Sequence, residues 1–450
     1  MHRCVLSRAA RLSSFVLAAS LAHGALAQTY TFSLVARANA TGSSVFNLAP
    51  GITINDATPD VNDSGIAAFR VTTNAENFVT GVIVGTAAST RLVYSGPADV
   101  LVSDPSISAS GRVVYGVQQG NGVRAYEVST QSEGPYTFGL AGTTTWEGTR
   151  SDNAGRTVYR ATVGSGRAID VYNPASGTTS RLVAQNTLDA SSPFNFIFNP
   201  AMSANGTVAV KLQRGTSTAA DEVWVYPVVG GAPVRVAAEA GAASPGLFTT
   251  IDNGVNVNDS GQVVFAGTLA STGLRGVYVV DGINPPRTIA DQSSGFSVAF
   301  FTPDINNTGD VVFRVTGGNT PAIFVGDGSN LAQPLVVAGQ PITTDLGDTS
   351  FTGFLQNPRI SDAGHIVFGA TLAAGGRGIF VASLPASGCD TIDFNANGVF
   401  PEDQDVIDFF TVLAGGECSS CNDIDFNNNQ VFPEDQDVID FFTVLAGGEC

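Results

Sequence analysis

The sequence has 450 residues, and its 39 acidic residues against 21 basic ones give a formal net charge of -18. Only 13% of the residues are charged, while 51 are glycine, a balance that suits many short strands joined by tight turns. The negative surface excludes nucleic acid and anionic lipid as partners and favours cations. The length allows one large domain and one small one.

Residues 1–27 are typical of an export signal. Three arginines precede an apolar stretch that starts at about Phe15 and ends in Ala25-Leu26-Ala27, a small-x-small cleavage pattern. We therefore expect the mature chain to begin near Gln28 and to be secreted or held at the cell surface. No later segment is long and apolar enough to predict a membrane span.

The body, residues 28–384, repeats one phrase seven times. PDVNDSGIAAFRV, VNVNDSGQVVFAG and PDINNTGDVVFRV are three of its copies. Each copy centres on a turn glycine, and these glycines lie roughly 44 to 55 residues apart, the repeat length of a four-stranded propeller blade. The seven are Gly65, Gly111, Gly155, Gly206, Gly261, Gly309 and Gly364.

The two ends of the body indicate a closed ring. The seventh repeat passes into the C-terminal tail without a fourth strand, whereas residues 30–38 form a strand-like segment that belongs to no repeat. If these residues complete the seventh blade, the sheet edges are paired, which is how all-β proteins avoid edge-to-edge aggregation. The sequence therefore predicts an all-β body, a seven-bladed β-propeller closed by its N-terminal strand. A pair of β-sandwiches is the alternative.

Chemistry in the body is sparse. Asn and Asp side chains that cap a turn, followed by a glycine with positive φ, explain the repeated VNDSG sequences without a ligand. His365 is the one histidine after the signal, and its slot in the repeat predicts a solvent-facing strand position rather than a catalytic one. Paired carboxylates such as Asp221 and Glu222 leave glycoside cleavage possible. Trp146 and Trp224 are expected in the core.

The tail, residues 385–450, contains one acidic sequence twice, DFNANGVFPEDQDVIDFFTVLAGGEC at 393–418 and DFNNNQVFPEDQDVIDFFTVLAGGEC at 425–450. In each copy oxygen-bearing side chains alternate and are followed by a backbone carbonyl, the pattern by which a short loop wraps calcium. These positions are Asp393, Asn395, Asn397 and Val399, and Asp425, Asn427, Asn429 and Val431.

An apolar series at helical spacing follows each loop. Ahead of this series stands a proline with acidic residues just after it, which suits a helix N-terminus. The first series is Val406, Phe409, Phe410 and Leu413, mirrored by Val438, Phe441, Phe442 and Leu445. We expect two amphipathic helices, each covering the apolar face of the other.

This doubled loop and helix resembles the dockerin family, specifically its cysteine-ended kind whose repeats finish in Gly-Gly-x-Cys. The resemblance implies an EF-hand-like module that binds Ca²⁺ and attaches an exported protein to a cohesin-like or other surface receptor. It implies that the loop residues named above are ligands. The usual acidic residue at position 12 is replaced by Gln404 and Gln436, so we expect a loop that is one residue longer and closed by Asp405 and Asp437.

Four cysteines bound the two copies and are expected to form disulfides in an exported chain. Three pairings are open. Because each copy carries its own boundary pair, the favoured pairing joins Cys389 with Cys418 and Cys421 with Cys450. The alternative joins Cys389 with Cys450 and leaves a short loop between Cys418 and Cys421.

Two hypotheses of function follow. The first is a non-enzymatic exported propeller that displays a binding surface for a protein or glycan ligand and is attached through its tail. The second is a secreted carbohydrate-active enzyme, a hydrolase or lyase, with its site in the propeller funnel. An enzyme should gather carboxylates with Tyr, Arg or Trp at one mouth of the ring, whereas a display scaffold should leave that mouth small and polar.

Overall fold

The computed structural model describes residues 30–38, 44–54, 57–73, 80–96, 102–118, 122–134, 137, 139–215, 221–227, 231–241, 246–294, 302–316, 320–355, 357–384, 389–427, 433 and 435–448. The predicted signal segment, Asn429, Val431 and Cys450 lie outside these residues. No helix among the described residues is long and apolar enough to cross a membrane.

The body is a seven-bladed β-propeller, as the repeats predict. Each blade is an antiparallel sheet in which strands follow one another in chain order. Blades 1 to 3 contain Ile52–Ile54, Asp60–Val61, Ala67–Thr73, Thr80–Gly85 and Thr90–Gly96; Ser106–Ile107, Arg112–Gly116, Val123–Glu127 and Ser132–Glu133; Thr143–Ser151, Thr157–Val163, Gly166–Asn173 and Thr178–Ala184.

Blades 4 to 6 follow the same plan, and a one-turn 3₁₀ helix at Gln292–Ser294 comes after blade 5. Their strands are Phe194–Met202, Thr207–Arg214, Asp221–Pro227 and Val234–Ala238; Phe248–Val257, Val263–Leu269, Arg275–Val280 and Arg287–Asp291; Asp304–Ile305, Val311–Val315, Ala322–Gly326 and Gln333–Val337.

Blade 7 closes the ring with the N-terminal strand, as predicted. Thr31–Ala38 pairs antiparallel with Arg377–Ser383 in register from Thr31 opposite Ser383 to Ala38 opposite Arg377. The inner part of this blade is formed by Pro341–Thr344, Gly347–Phe354, Arg359–Ile360 and Ile366–Leu372. The first and last strands of the body therefore lie side by side in one sheet.

Apolar clusters between neighbouring blades form the core of the body. Between blades 7 and 1, Val35 and Ile379 pack with Phe69 and Ile83, and all four are at most 3% exposed. Trp146 is buried, as expected of a core residue. In each blade the strand that precedes the repeat turn lies innermost. The turn reaches its positive φ through the repeat glycine, for example Gly65 at φ +68° and Gly309 at φ +91°.

The tail contains two helices of identical sequence, Asp403–Leu413 and Asp435–Leu445. Phe409 and Phe441 are fully buried, and their rings stack 4.0 Å apart between the helices. Phe410 and Phe442 are each 42% exposed. Their rings nevertheless lie 6.0 Å apart between the helices, so the two apolar faces pack on each other as expected, with Phe410 and Phe442 at the edge of the shared core.

Candidate functional site

The seven first strands surround a central channel with two different mouths. The turns after these strands line one end, which we call the turn mouth; it includes Asp63, Ser108, Asn153, Asn258, Asn307 and Asp362. The space at this mouth is small, about 120 Å³. The turn mouth therefore matches the small, polar opening expected of a display scaffold.

Side chains of the turns bond one blade to the next around the turn mouth. The backbone N–H of Asp259 donates to Asn307 Oδ1 at 2.8 Å, and that of Asn307 donates to Asp362 Oδ1 at 2.8 Å. The N–H of Ala363 donates to Asp63 Oδ1 at 3.1 Å, which links blade 7 to blade 1. The turn residues thus cap their own turns, as predicted, and also join neighbouring blades.

Negative charge is concentrated at the turn mouth. Burial, together with the carboxylates of Asp63 and Asp259, raises the pKa of Asp362 to about 6. The mouth therefore disfavours a second anion.

The channel narrows at the residue five positions before each turn glycine. Arg150, Asn256 and Arg359 occupy this position in blades 3, 5 and 7 and line both mouths. Arg359 Nη1 donates to Asp304 Oδ1 at 3.1 Å and to Asn256 Oδ1 at 2.5 Å. These side chains from different blades form a polar constriction between the two ends of the channel.

The other end of the channel opens into a larger cavity of about 680 Å³, which we call the arginine mouth. Its lining includes five arginines and two carboxylates, namely Arg70, Arg150, Arg160, Arg167 and Arg359 with Asp104 and Glu147. Phe196, Phe198, Asn199 and Asn253 add aromatic and amide groups. This mouth is neither small nor neutral, and its carboxylates and arginines are the groups expected of an enzyme rather than of a display scaffold.

Three of these arginines have carboxylate partners. Arg70 Nη2 lies 3.6 Å from Asp104 Oδ1, and Arg160 pairs with Glu147. Arg359 pairs with Asp304, which lies at the constriction. These three cations are therefore at least partly neutralised within the protein.

Arg150 and Arg167 have no carboxylate partner within 4 Å among the described residues. Arg150 Nη1 donates to the carbonyl of Thr149 at 2.8 Å. The guanidinium of Arg167 lies over the ring of Phe196, 4.1 Å from its centroid, an arrangement that orients the cation without neutralising it. Burial and the nearby charge of Arg359 lower the pKa of Arg150 to about 10.

Two signals in the repeat could have identified four of the five arginines of this mouth, all except Arg167. The position five residues before the turn glycine lies in the channel, and the position five residues after it carries a cation in four repeats: Arg70, Arg160, Lys211 and Arg314. Three of the four second-strand cations donate to carbonyls of the next blade: Arg70 to Val102 at 2.6 Å, Lys211 to Ile251 at 2.6 Å, and Arg314 to Phe354 and Leu355. Neither position is part of the site predicted from the sequence.

The residues singled out from the sequence of the body lie outside the arginine mouth. Asp221 and Glu222 are 5% and 0% exposed, and they pair with Lys211 and Arg214 inside blade 4 rather than facing the channel. His365 is half-buried against Ser383, 2.7 Å from its hydroxyl, and burial lowers its pKa. The prediction of a solvent-facing histidine is therefore wrong, because blade 1 packs against that position.

The first tail loop brings several predicted ligands together. The Asn397 N–H donates to Asp393 Oδ1 at 2.9 Å and to Asn395 Oδ1 at 3.1 Å, so these two oxygens lie beside one amide. Asp405 is fully buried, and its Oδ1 accepts the Phe394 N–H at 3.0 Å. Val399 donates its N–H to Asn397 Oδ1 at 2.7 Å.

Asp405, rather than Gln404, contacts the loop backbone. Gln404 is exposed and donates to Asp408 on the helix surface. In the second copy Asp425, Asn427 and Asp437 are similarly buried, and Asn427 Nδ2 donates to Asp440 at 2.8 Å, as Asn395 Nδ2 does to Asp408 at 2.9 Å.

The atoms of the first loop that could bind a metal are all oxygens, which suits a hard cation such as calcium. Within the described part of the chain, no three His, Cys, Asp or Glu side chains form a metal-binding group. A cation in this loop would therefore depend on asparagine amide and backbone oxygens as well as on Asp393 and Asp405.

The cysteine pairing differs from the favoured prediction. Cys418 and Cys421 are joined to each other, with Cα atoms 5.4 Å apart. Cys389 is also disulfide-bonded. The favoured Cys389–Cys418 and Cys421–Cys450 pairs are therefore wrong, because the turn between the two copies brings their inner cysteines together.

Comparisons with known proteins place the chain in a family without a known activity. A family model described as "Family of unknown function (DUF7453)" matches residues 151–403. No curated protein matches the chain.

Solved β-propellers and other structures resemble the chain at low identity. Oligogalacturonate lyase from Vibrio parahaemolyticus is 11% identical with a TM-score of 0.50, over 79% of this chain and 97% of that one. The β-propeller domain of the Trilobed protease from Pyrococcus furiosus is 11% identical with a TM-score of 0.49, over 72% and 94%. TolB from Acinetobacter baumannii is 12% identical with a TM-score of 0.41, over 62% of this chain and 65% of that one, less than two thirds of its length. At these identities the likeness concerns the fold alone.

Proposed function

The chain belongs to the DUF7453 family of unknown function, and we propose that it is an exported, non-enzymatic β-propeller that binds its ligand at the arginine mouth. In this proposal the duplicated tail attaches the propeller to a receptor or surface layer and holds calcium in its loops. The export signal and the tail are read from the sequence, and the binding surface is read from the geometry of the channel.

The arginine mouth is the observation that carries the binding proposal. A cavity of about 680 Å³ lies in the range of small-ligand sites, roughly 300 to 1,000 Å³. Its lining comes from several blades, since Arg70 belongs to blade 1, Arg150 to blade 3 and Phe196 to blade 4. Because the closed ring fixes these blades relative to one another, the polar groups are held in place before a ligand arrives.

An enzyme of acidic polysaccharides is the second candidate, favoured by one observation. Glu147 and Arg160 form an ion pair in the same cavity as the other arginines, so a carboxylate of the kind used in acid–base catalysis lies beside cations that can hold an acidic substrate. Incubation of the protein with acidic polysaccharides, followed by measurement of new reducing ends and of ultraviolet absorbance from unsaturated products, separates the candidates. Binding without either product supports the non-enzymatic function.

The binding proposal is tested by filling the cavity. Asn199 is exposed at the arginine mouth, so Asn199→Trp should occupy the space that a ligand needs. Asn186 is exposed and lines none of the described cavities, so Asn186→Trp is the matched control. On a glycan array and in pull-down, we expect Asn199→Trp to lose the ligands bound by the wild-type protein and Asn186→Trp to retain them. Equal binding by both variants would place the ligand elsewhere.

The tail proposal assigns calcium to the two loops. Asp393, Asn395, Asn397, Val399 and Asp405 would hold the ion in the first loop, and it would relieve the repulsion between carboxylates that have no lysine or arginine after Arg377 to offset them. The second loop has Gln430 where the first has Gly398, whose φ is +82°. Glycine adopts this conformation more readily than glutamine, so we propose that the first loop binds more tightly.

Calorimetric titration of the full chain with calcium tests the tail. We expect Asp393→Ala to lose more affinity than Asp425→Ala. At about 100 times its dissociation constant, calcium should stabilise the tail by roughly 2.7 kcal/mol per site. Heat that neither substitution alters would show that the ion binds outside these loops.

A further inference from the structure

We propose that the ligand of the arginine mouth carries carboxylate groups, with Arg150 and Arg167 as the side chains that bind them, an inference that rests on the proposed binding function. An oligosaccharide of uronic acids carries such groups and serves as the probe for this class of ligand.

The sign of the charge in the cavity is opposite to that of the protein. The whole chain has a formal charge of -18, yet five arginines face two carboxylates in the lining of this cavity. A cleft with one sign of charge and low-dielectric walls concentrates ligands of the opposite sign. Most of the excess negative charge lies in the tail, where no lysine or arginine follows Arg377, so an anion is repelled by the tail and attracted to this cavity.

Arg150 and Arg167 are the two cations in the lining that the protein leaves without a carboxylate partner among the described residues. Arg70, Arg160 and Arg359 each have one. The Nη1 atom of Arg167 is buried and has no hydrogen-bond acceptor among the described residues. Since Arg167 lines the cavity without an ion pair, a ligand carboxylate would meet a guanidinium that no described carboxylate has neutralised.

The surroundings of Arg150 favour the same kind of ligand. Burial, and after it the charge of Arg359, lower its pKa to about 10, while the carboxylates of Asp60, Asp104 and Asp304 act in the opposite direction. A carboxylate placed between the two guanidinium groups would offset the repulsion between them, and arginine matches the two oxygens of a carboxylate in a fork geometry.

The two mouths give the ligand a direction. The turn mouth has a space of about 120 Å³ and includes Asp60, Asp63, Asp304 and Asp362 in its lining. An acidic chain that enters the arginine mouth therefore meets the constriction and, beyond it, like charge. We infer that such a ligand binds at the arginine mouth and does not pass through the channel.

A matched pair of ligands tests the inference. A trisaccharide of uronic acid and its methyl ester have the same sugar rings, but the ester has no negative charge. Calorimetric titration of the full chain should give binding of the acid and binding at least about tenfold weaker of the ester, because a charge-assisted hydrogen bond is worth about that factor or more. A higher salt concentration should weaken binding of the acid and leave binding of the ester unchanged.

Variants locate the site. Arg150→Gln and Arg167→Gln should each weaken binding of the acid about 10- to 100-fold. Arg91→Gln is the control, since Arg91 lies on an outer strand and does not line this cavity. Thermal unfolding of each variant, followed by tryptophan fluorescence, shows whether the body remains folded.

Each result decides a separate point. Equal binding of acid and ester, with loss in Asn199→Trp, would overturn the carboxylate assignment and leave the binding function intact. Binding of the acid that neither arginine variant changes would overturn the site. If the acid does not bind but Asn199→Trp alters binding to another ligand on the array, the ligand class is wrong and the binding function at this mouth stands. Acid bound no more tightly than sulfate or phosphate would reduce the site to one for any small anion and overturn the assignment.

Discussion

Closure of the ring depends on the side chains of the N-terminal strand, and Leu34→Ala measures that dependence. Leu34 is fully buried and belongs to a cluster with Phe351, Phe368 and Phe380 of blade 7. Removing a buried leucine side chain costs the transfer free energy of its methyl groups and leaves a cavity, together about 3 to 5 kcal/mol at a site that cannot collapse. Aromatic rings from three other strands surround Leu34, so we expect a value in that range.

The assay uses the two tryptophans of the chain, Trp146 and Trp224, which both lie in the body. Their fluorescence during urea unfolding reports the propeller without a contribution from the tail. The same fluorescence followed on heating gives the melting temperature. Unfolding entropy scales with chain length, so for a body of about 350 residues a loss of 3 kcal/mol in the free energy of unfolding should lower the melting temperature by about 4 °C.

The control is the same substitution at an exposed leucine. Leu331 is 57% exposed, and Leu331→Ala should change the free energy of unfolding by less than about 0.5 kcal/mol. If Leu34→Ala were as mild as Leu331→Ala, the N-terminal strand would not be an integral part of the seventh blade, and the argument for closure would fail.

Three further predictions concern the body. Lys211→Met should lower the free energy of unfolding by about 3 to 5 kcal/mol, because it leaves the buried Asp221 carboxylate without the ammonium 2.6 Å away. In urea unfolding, the double variant Lys211→Met with Asp221→Leu should recover most of that loss, and no recovery would refute the pairing argument. The pKa of Asp362 is raised to about 6 in the folded protein, so the folded state binds its proton more tightly and the contribution of this group to stability falls as pH rises from about 4 to 6; Asp362→Asn should flatten that part of the stability curve, and an unchanged curve would contradict the assignment. Deletion of residues 28–40 should destabilise the body more than Leu34→Ala does, because it removes the whole strand paired with Arg377–Ser383; an unchanged melting temperature would refute this.

The fold was predictable because its signals are local and repeated. Gly65 and its six counterparts have the positive φ that the repeated turns require, and the unassigned segment at 30–38 matches a strand missing from the seventh repeat. A period of this length admits few architectures, so seven copies and one spare strand were enough to predict the ring.

The arginine mouth was not predicted because it is assembled from residues far apart in sequence. Arg70, Arg167 and Arg359 belong to three different blades, and no local pattern states which strand faces they share. Comparing equivalent positions across the repeats, five residues before and after each glycine, would have placed most of them near the channel. The Cys418–Cys421 disulfide belongs to the alternative pairing rather than to the favoured one, since pairing within each copy treats the copies as independent, whereas these two cysteines flank the turn that joins them.

A crystal structure of the full chain with the uronic acid trisaccharide tests the central claim most directly. The account predicts ligand density in the arginine mouth, with a carboxylate oxygen within about 3 Å of a guanidinium nitrogen of Arg150 or Arg167. Density at the turn mouth or on the outer face of a blade, with the arginine mouth filled by solvent alone, would contradict it.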